Sequence, residues 1–233
     1  MFYKLSNIAD LNTICNTFNA SFEFPDLYKR QLIIDGNNEE SLPIITNSAP
    51  STLKYAIWGL MPQNFKEDWT EFQNVSNTLN LPLRLIDELI WTKALFNNQR
   101  CVIITTGFFT SYIDNGKVHP FYVCRKHNLP FAIAGIYSQL EDGFLTTSIL
   151  TSKKQVKNIK NIHNVGKAFP LVIAHKDIKS WFSKNMTYKT FKKSYFSPPK
   201  LKAYPVSQKI YKGLMSDESI LNNIQNNELL NIV

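Results

Sequence analysis

The sequence predicts an α+β fold, a single domain with a mainly antiparallel, barrel-like β core and flanking helices. Predicted strands outnumber predicted helices along the chain. The strands also follow one another directly between residues 100 and 152, whereas a parallel doubly wound sheet would alternate them with helices. An Asn115-Gly116 pair separates two of these strands, and such a pair supplies the positive φ angles that a type I′ hairpin turn requires.

The N-terminal half is predicted to contain two helices and one buried strand. In residues 7–18 the apolar side chains recur on one helical face, with Ser6 or Asn7 as the N-cap. Residues 53–60 form an apolar run typical of a buried strand, and residues 84–96 have a second amphipathic helical pattern. We expect residues 19–50 to be rich in loops and residues 62–82 to be irregular, because Pro, Gly and polar side chains interrupt both segments.

The C-terminal half is predicted to be mostly strands. They cover residues 100–112, 117–123, 130–137 and 144–152, and a last strand covers residues 204–211. A short basic helix is expected at 153–161, and 171–182 reads as the end of a strand followed by a helix. These elements place the domain at residues 1–211 and leave 212–233 as a polar C-terminal tail with helical potential.

Composition excludes several classes of protein. The chain has 233 residues, 44% of them hydrophobic, which suits one globular domain and not a disordered chain. Three cysteines without a C-x-x-C spacing argue against a disulfide framework or a zinc site. The sequence has no signal-peptide pattern, no long apolar run and no nucleotide-binding or hydrolase-elbow motif. We therefore expect a cytoplasmic monomer without cofactor, metal or membrane contact.

Positive charge is concentrated in one segment. Residues 151–202 contain thirteen lysines, no arginine and a single acid, Asp177, so the segment carries +12 while the whole chain carries +8. Lysines of this density suit a polyanion such as DNA, because they displace the counterions condensed on phosphates. The alternative is an ordinary solvated surface in a chain whose Lys, Asn and Ile content reflects AT-rich codons.

Several separated stretches, in order, match one family pattern. They are residues 1–6, 18–25, 42–47, 58–62, 78–80, 100–109, 130–137, 148–151, 161–170 and 205–207. Among them, MFYKLS resembles a Met-Cys-Tyr-Arg-Leu-Ser opening, WGLMP a Trp-Gly-Leu-Ile-Pro segment, and PFAIAGIY a Pro-Phe-Ala-Phe-Ala-Gly-Leu-Tyr segment. Together these stretches resemble the SOS response-associated peptidase (SRAP) family of abasic-site-processing proteins over about residues 1–211.

The resemblance implies a compact α+β fold, binding of single-stranded DNA and a role in the response to DNA damage. In the family, an N-terminal Cys condenses with the aldehyde of an abasic site to form a thiazolidine. Asn, Glu and His residues position the reacting sugar. Self-cleavage is thought to free the Cys, hence the name peptidase and the classification as a hydrolase.

This sequence departs from the family at the reactive positions. Phe2 stands where the family has its Cys nucleophile, and Thr110 stands where it has the Glu. A phenyl ring cannot attack an aldehyde, and a hydroxyl cannot replace a carboxylate in acid–base catalysis near neutral pH. Lys4 and Ala168 replace two arginines of the pattern. The resemblance therefore implies a pseudoenzyme.

Two reactive positions of the family are retained, Asn80 and His163. We predict that they are the remnants of the catalytic site. For Asn80 a turn residue before Pro82 is an equal alternative, and for His163 a buried, hydrogen-bonded structural histidine is slightly favoured. The residues predicted to contact DNA are Lys4, Asn80, Thr151, Lys153, Lys154 and Lys167.

Three hypotheses follow from these features. The first is a divergent family member that has lost cross-linking and at most binds single-stranded or abasic DNA. The second is an active enzyme that uses the Met1 amine or a lysine as the nucleophile. The third is a protein-interaction module that has kept only the fold. The lysine-rich segment favours the first hypothesis over the third.

Overall fold

A computed structural model describes residues 2–88, 90–153, 157–166, 168–191, 196, 198–211 and 218–224. The strands in these residues are β1 (Lys4–Asn7), β2 (Ser21–Phe22), β3 (Gln31–Asp35), β4 (Ser41–Thr46), β5 (Ala49–Trp58), β6 (Asn80–Pro82), β7 (Arg100–Thr105), β8 (Gly107–Asp114), β9 (Lys117–Cys124), β10 (Phe131–Gln139), β11 (Leu145–Ser152), β12 (Phe169–Pro170), β13 (Val172–Ile173) and β14 (Lys202–Pro205). The α-helices are α1 (Leu11–Phe18), α2 (Trp69–Val75), α3 (Ile90–Asn98), α4 (Ile178–Trp181) and α5 (Tyr188–Phe191). Short 3-10 helices connect them, and no described helix is long and apolar enough to cross a membrane.

The larger sheet closes on itself. Antiparallel pairings run from β5 through β4, β7 and β10 to β11. A parallel pairing then joins β11 back to β5 at Thr146–Ile57 and Thr147–Trp58. The predicted α+β fold with a mainly antiparallel, barrel-like core is confirmed by this circuit.

Side chains alternate between the two faces of this barrel-like sheet. On β10, Ile133 and Tyr137 belong to the inner cluster with Trp58. The alternate residues of the strand, such as Ala134, pack outward against helices α1 and α3. Successive side chains of a strand point to opposite faces, so both faces of β10 are buried, one in the inner cluster and the other against the helices.

The smaller sheet holds the start of the chain in place. Its strand order is β14-β9-β8-β1-β3, so β1 is paired on both sides. Leu5 lies opposite Phe108 of β8 and Lys4 opposite Asp35 of β3. Because β1 is fixed in this register, Phe2 is directed into the space between the two sheets, where it is buried.

The predicted hairpin forms as expected. Asn115 and Gly116 have φ angles of 45° and 74°, and Asp114 pairs with Lys117 to close the β8–β9 ladder. The strands predicted at residues 130–137 and 144–152 correspond to β10 and β11.

The structure differs from the sequence prediction at several boundaries. Helix α1 begins at Leu11 with Asp10 as its N-cap, whose side chain accepts a hydrogen bond from the Thr13 amide at 2.7 Å. Ser6 cannot cap the helix because it lies in β1. The segments predicted to be loops or irregular contain short strands and α2, since pairing with distant partners stabilises strands too short to show a periodic pattern. The helix predicted at 84–96 is a 3-10 helix at Leu83–Leu85 followed by α3.

Two further predicted elements differ in type or length. The basic helix expected at 153–161 is a 3-10 helix at Lys157–Ile162. The last predicted strand ends at Pro205, which has no amide hydrogen to continue the ladder. Beyond it, a 3-10 helix at Glu218–Leu221 packs Ile220 and Leu221 against the outer side of the smaller sheet.

Gly59 in the Trp-Gly-Leu segment is required by close packing. Its φ angle is 127°, and a Cβ atom there would lie 2.5 Å from Trp69 Nε1, which donates a hydrogen bond to the Trp58 carbonyl. We expect Gly59→Ala to lower the free energy of unfolding by about 2–4 kcal/mol, because it adds backbone strain and displaces a buried indole. The measurement is urea unfolding. Gly143→Ala is the control, since Gly143 has a φ angle of 94° but open space around it, and an equal loss there would mean that packing at Gly59 is unimportant.

Candidate functional site

Four positions that the sequence connects with the family chemistry meet at one place. Phe2 precedes β1, Asn80 begins β6, Thr110 lies in β8, and His163 follows the 3-10 helix Lys157–Ile162. Asn80 Nδ2 donates a hydrogen bond to the Phe2 carbonyl at 2.8 Å. Thr110 Oγ1 lies 2.8 Å from His163 Nδ1, and the rings of Phe2 and His163 are 5.2 Å apart. We call these four residues the N-terminal cluster.

The Phe2 ring fills the centre of the N-terminal cluster. It is 2% exposed and lies 5.6 Å from Phe108 and 5.8 Å from Phe169, measured between ring centroids. Phe169 also packs edge-on against His163 at 5.3 Å. A buried apolar ring therefore occupies the centre of the N-terminal cluster.

His163 and Thr110 form a buried, uncharged pair. Both side chains are less than a tenth exposed, and burial lowers the pKa of His163 below its ordinary value. The imidazole is therefore neutral near pH 7. Gly166 leaves little room beside the ring, since a Cβ atom there would lie 3.3 Å from His163 Nε2. The pair can exchange a hydrogen bond with a ligand, but it carries no carboxylate to act as a general acid or base.

Asn80 lies in a strand and not in a turn. It pairs with Ile149 of β11 and is 5% exposed. Its Nδ2 holds the Phe2 carbonyl, while its Oδ1 is buried and has no hydrogen-bond partner among the described residues. An unpaired buried acceptor of this kind costs free energy, and it marks a place where a donor from the start of the chain or from a ligand would fit.

A cleft of about 480 Å³ opens beside the N-terminal cluster. Thr110 and His163 line it, together with side chains from β8, β9 and the 3-10 helix Gln208–Tyr211. Its rim includes four exposed apolar or aromatic residues: Ile113, Val118, Val165 and Tyr211. The Tyr211 hydroxyl shares a hydrogen bond with Ser111 Oγ. Only Val165 falls within a stretch that matches the family pattern, and the sequence assigned no role to any of the four.

The charges in this cleft neutralise each other. Lys4, predicted to contact DNA, forms an ion pair with Asp35, and the two residues lie opposite each other on β1 and β3. Asp35 has no motif of its own, and only the pairing of the strands places it beside Lys4. The cleft is therefore largely apolar, with an ion pair and several hydroxyls at its wall.

Of the remaining predicted DNA contacts, Thr151 and Lys153 lie in the described part of the chain. Thr151 on β11 is 5% exposed, so it offers little surface to a ligand. Lys153, just beyond β11, is exposed. Lys154 and Lys167 lie outside the described residues.

The described lysines of the basic segment form no ion pair with a described residue. Within the described part of the chain, the lysines that form ion pairs are Lys4, Lys54, Lys66 and Lys93. All four lie outside residues 151–202. The described lysines of the segment therefore present unpaired positive charge.

The three cysteines are free thiols that are buried or half-buried. Cys101 is fully buried in the barrel, and burial raises the pKa of its thiol to about 12. Cys124 is also buried, which raises its pKa, and Cys15 lies half-buried on α1. Nowhere in the described ranges do three His, Cys, Asp or Glu side chains gather as metal ligands would.

Comparison with known proteins gives a family and a set of similar folds. Residues 7–213 match the family model described as SOS response associated peptidase (SRAP). A structural-genomics protein from Bacteroides thetaiotaomicron is similar in structure, with a TM-score of 0.81 and 22% identity over 95% of this chain and 99% of that one. A protein from Bordetella bronchiseptica has a TM-score of 0.71 at 16% identity, covering 88% and 99%. A phage-related protein from the same organism has a TM-score of 0.60 at 14% identity, covering 88% and 94%. No curated protein matches the sequence.

Proposed function

This chain belongs to the SOS response associated peptidase (SRAP) family, and we propose that it binds single-stranded DNA without forming a covalent bond to it. The observation that carries the proposal is the Phe2 ring, which is buried against His163 and Phe108 at the centre of the N-terminal cluster. Formation of a thiazolidine needs a thiol and an amine on one residue. Here the thiol is absent, and an aromatic ring occupies the space that an aldehyde would need.

The replacement of the carboxylate supports the same proposal. Thr110 keeps a hydrogen bond to His163 Nδ1, so the local packing is maintained without the acid. Because burial keeps His163 neutral, the site retains hydrogen-bonding groups but lacks a charged acid–base pair. These two features are expected of a protein that keeps the family fold but has lost the cross-linking chemistry.

Binding of a polyanion rests on the lysine-rich segment 151–202. Its described lysines form no ion pair with a described residue and do not line the cleft, whereas Lys4 inside the cleft is neutralised by Asp35. Phosphates would therefore contact the basic segment and not the cleft wall. Such binding is expected to be independent of sequence and sensitive to salt.

A second candidate function is a protein-interaction module. It is favoured by the apolar rim of the cleft, since Ile113, Val118 and Val165 are each more than a third exposed. The ion pair between Lys4 and Asp35 also leaves no net positive charge there, which favours a protein partner over DNA at this cleft. The DNA-binding experiment below separates the two candidates.

Single-stranded DNA should bind with an affinity that falls steeply with salt. We expect roughly a hundredfold weaker binding at 200 mM than at 50 mM salt if about five phosphates are contacted. The measurement is fluorescence anisotropy with intact and abasic oligonucleotides of equal length. Replacing Lys153, Lys154, Lys157 and Lys167 by Glu should remove most of the binding at 50 mM salt.

A matched control isolates the basic segment from net charge. Replacing Lys29, Lys117, Lys126 and Lys209 by Glu makes the same change in charge elsewhere on the chain, at exposed lysines that form no ion pair with a described residue. The proposal is rejected if this control weakens binding as much as the first variant, or if the unmodified protein does not bind DNA at 50 mM salt. The second outcome would favour the protein-interaction module.

A further inference from the structure

A second cleft, of about 550 Å³, shares no lining residue with the cleft beside the N-terminal cluster. Strand β10 connects the two regions. Its first residue, Phe131, contacts Phe108 beside the N-terminal cluster, whereas Tyr137 lines the second cleft. These two residues are six positions apart along the strand, which corresponds to about 20 Å. The second cleft is therefore distinct from the site assigned to the family chemistry.

Large apolar side chains surround the second cleft and remain exposed. Phe24 is 59% exposed, Leu27 is 64% exposed and Phe144 is 63% exposed. Phe24 and Leu27 belong to the segment that follows β2, and Phe144 belongs to the connection between β10 and β11. Two separate segments thus converge on one opening, and such a patch on a folded surface is typical of an interaction site.

The interior of the second cleft combines aromatic rings with hydroxyl groups. Tyr55 and Tyr137 line its wall. Ser48 Oγ lies 3.0 Å from Thr46 Oγ1 and 3.1 Å from the Tyr137 hydroxyl. An apolar pocket with a few convergent polar groups is the usual composition of a binding site.

Acids outnumber bases among the charged residues that line the second cleft, which are Glu23, Asp142 and Lys54. Asp26 adjoins the cleft in the sequence, between the lining residues Phe24 and Leu27, whereas the exposed Lys29 lines a neighbouring cleft. Glu23 is paired with Lys54 at 3.4 Å, so these two charges cancel. The exposed Asp26 and Asp142 have no ion-pair partner among the described residues. A cationic partner is favoured here, and a nucleic acid is disfavoured.

From this geometry we propose that the second cleft docks a segment of a partner protein that carries a bulky apolar side chain flanked by lysine or arginine. The apolar side chain enters between Tyr55 and Tyr137, and the flanking cations lie against Asp26 and Asp142. A small ligand confined to the cleft would leave Leu27 and Phe144 largely in water. A peptide segment that crosses the opening covers both of them, which is why a macromolecular partner is inferred.

The test uses a fluorescein-labelled peptide of sequence Lys-Lys-Leu-Trp-Leu-Lys-Lys and the full chain, followed by anisotropy. The Leu27→Ser/Phe144→Ser variant should weaken peptide binding about tenfold or more, because truncation of central apolar anchors dominates such interfaces. Asp26→Asn/Asp142→Asn should weaken it and reduce its dependence on salt. Val75→Ser is the control, since Val75 is 90% exposed and lies outside the cleft.

Several results would overturn the proposal. One is an equal loss of binding in the Val75→Ser control, and another is unchanged binding in the Leu27→Ser/Phe144→Ser variant. If N-acetyltryptophanamide competes as strongly as the unlabelled peptide, the cleft is a small-molecule site instead. If sedimentation shows self-association that Leu27→Ser/Phe144→Ser abolishes, the occupant is a second copy of the chain. Binding to single-stranded DNA should be unaffected by these variants, so this test and that of the proposed function fail separately.

Discussion

Replacing Phe2 by Cys and Thr110 by Glu together should give a protein that forms a covalent adduct with abasic single-stranded DNA. The unmodified chain should form none, and Phe2→Cys alone should react slowly. We expect the double variant to react at least about tenfold faster than Phe2→Cys, since a positioned acid–base group contributes that much or more. This is the largest functional change that the N-terminal cluster predicts.

The two substitutions should act together because one supplies the thiol and the other changes the protonation of the neighbouring His163. Removing the Phe2 ring opens space between Phe108, His163 and Phe169, and a Cys at this position is small enough to allow removal of Met1. An isolated thiol is only a few per cent thiolate at neutral pH. A carboxylate at position 110 would take the place of the Thr110 hydroxyl beside His163 Nδ1. It would favour the imidazolium and so raise the pKa of His163, supplying both an acid and a base.

The measurement is the time course of a heat-stable shifted band on a denaturing gel with an abasic oligonucleotide. Phe2→Ser is the matched control, because it opens the same cavity and permits removal of Met1 without supplying a thiol. If Phe2→Cys alone matches the double variant, position 110 does not supply the acid–base group. A band from the unmodified chain without reductant would contradict the proposed loss of chemistry, whereas a band that requires borohydride would indicate a Schiff base with the Met1 amine or a lysine.

Arg100→Met should lower the free energy of unfolding by about 3–5 kcal/mol, the largest effect on stability that we expect from a single side chain. Arg100 is fully buried at the start of β7. Its guanidinium donates hydrogen bonds to the carbonyls of Phe96 and Asn97, in the last turn of α3, and of Trp181 and Ser183, at the end of α4. One side chain thus satisfies carbonyl groups at the ends of two helices and fixes both against the barrel.

The cost arises because methionine replaces the volume of the side chain but none of its donors. Several buried carbonyls are then left without a partner, and each such group costs about 1–3 kcal/mol. The measurement is urea unfolding followed by circular dichroism. Arg125→Met is the control, since Arg125 is half-buried and donates to the Pro130 carbonyl, and its loss should cost about 1 kcal/mol. A change below about 1 kcal/mol for Arg100→Met would show that the helix ends are held by other contacts. Arg100→Lys should recover only part of the loss, because an ammonium cannot reach four carbonyls in different directions.

The features that the sequence predicts by itself are those that depend only on residues close together in the chain. The Asn115-Gly116 turn needs only two residues that tolerate positive φ, and the strands on either side of it follow from their own composition. Long apolar runs such as residues 130–137 indicate buried strands whatever their partners are. The absence of a nucleophile at position 2 is likewise visible in the sequence, because a side chain either carries a reactive atom or does not.

Tertiary structure decided everything that depends on pairing across long separations. Phe2 and Asn80 are 78 positions apart and Thr110 and His163 are 53 apart. The pairing of β1 with β3 and β8, the pairing of β6 with β11 and the packing of the 3-10 helix Lys157–Ile162 on β8 bring them together. The pairing of β1 with β3 also neutralises Lys4 with Asp35, so a residue predicted to contact DNA is occupied by an internal partner. Both predicted helix caps, Ser6 and Asn7, lie in β1, and Asp10 caps the helix instead. Strand register is set by the fit of whole faces and not by neighbouring residues, which is why the two clefts and the charges within them emerge only when the sheets are assembled.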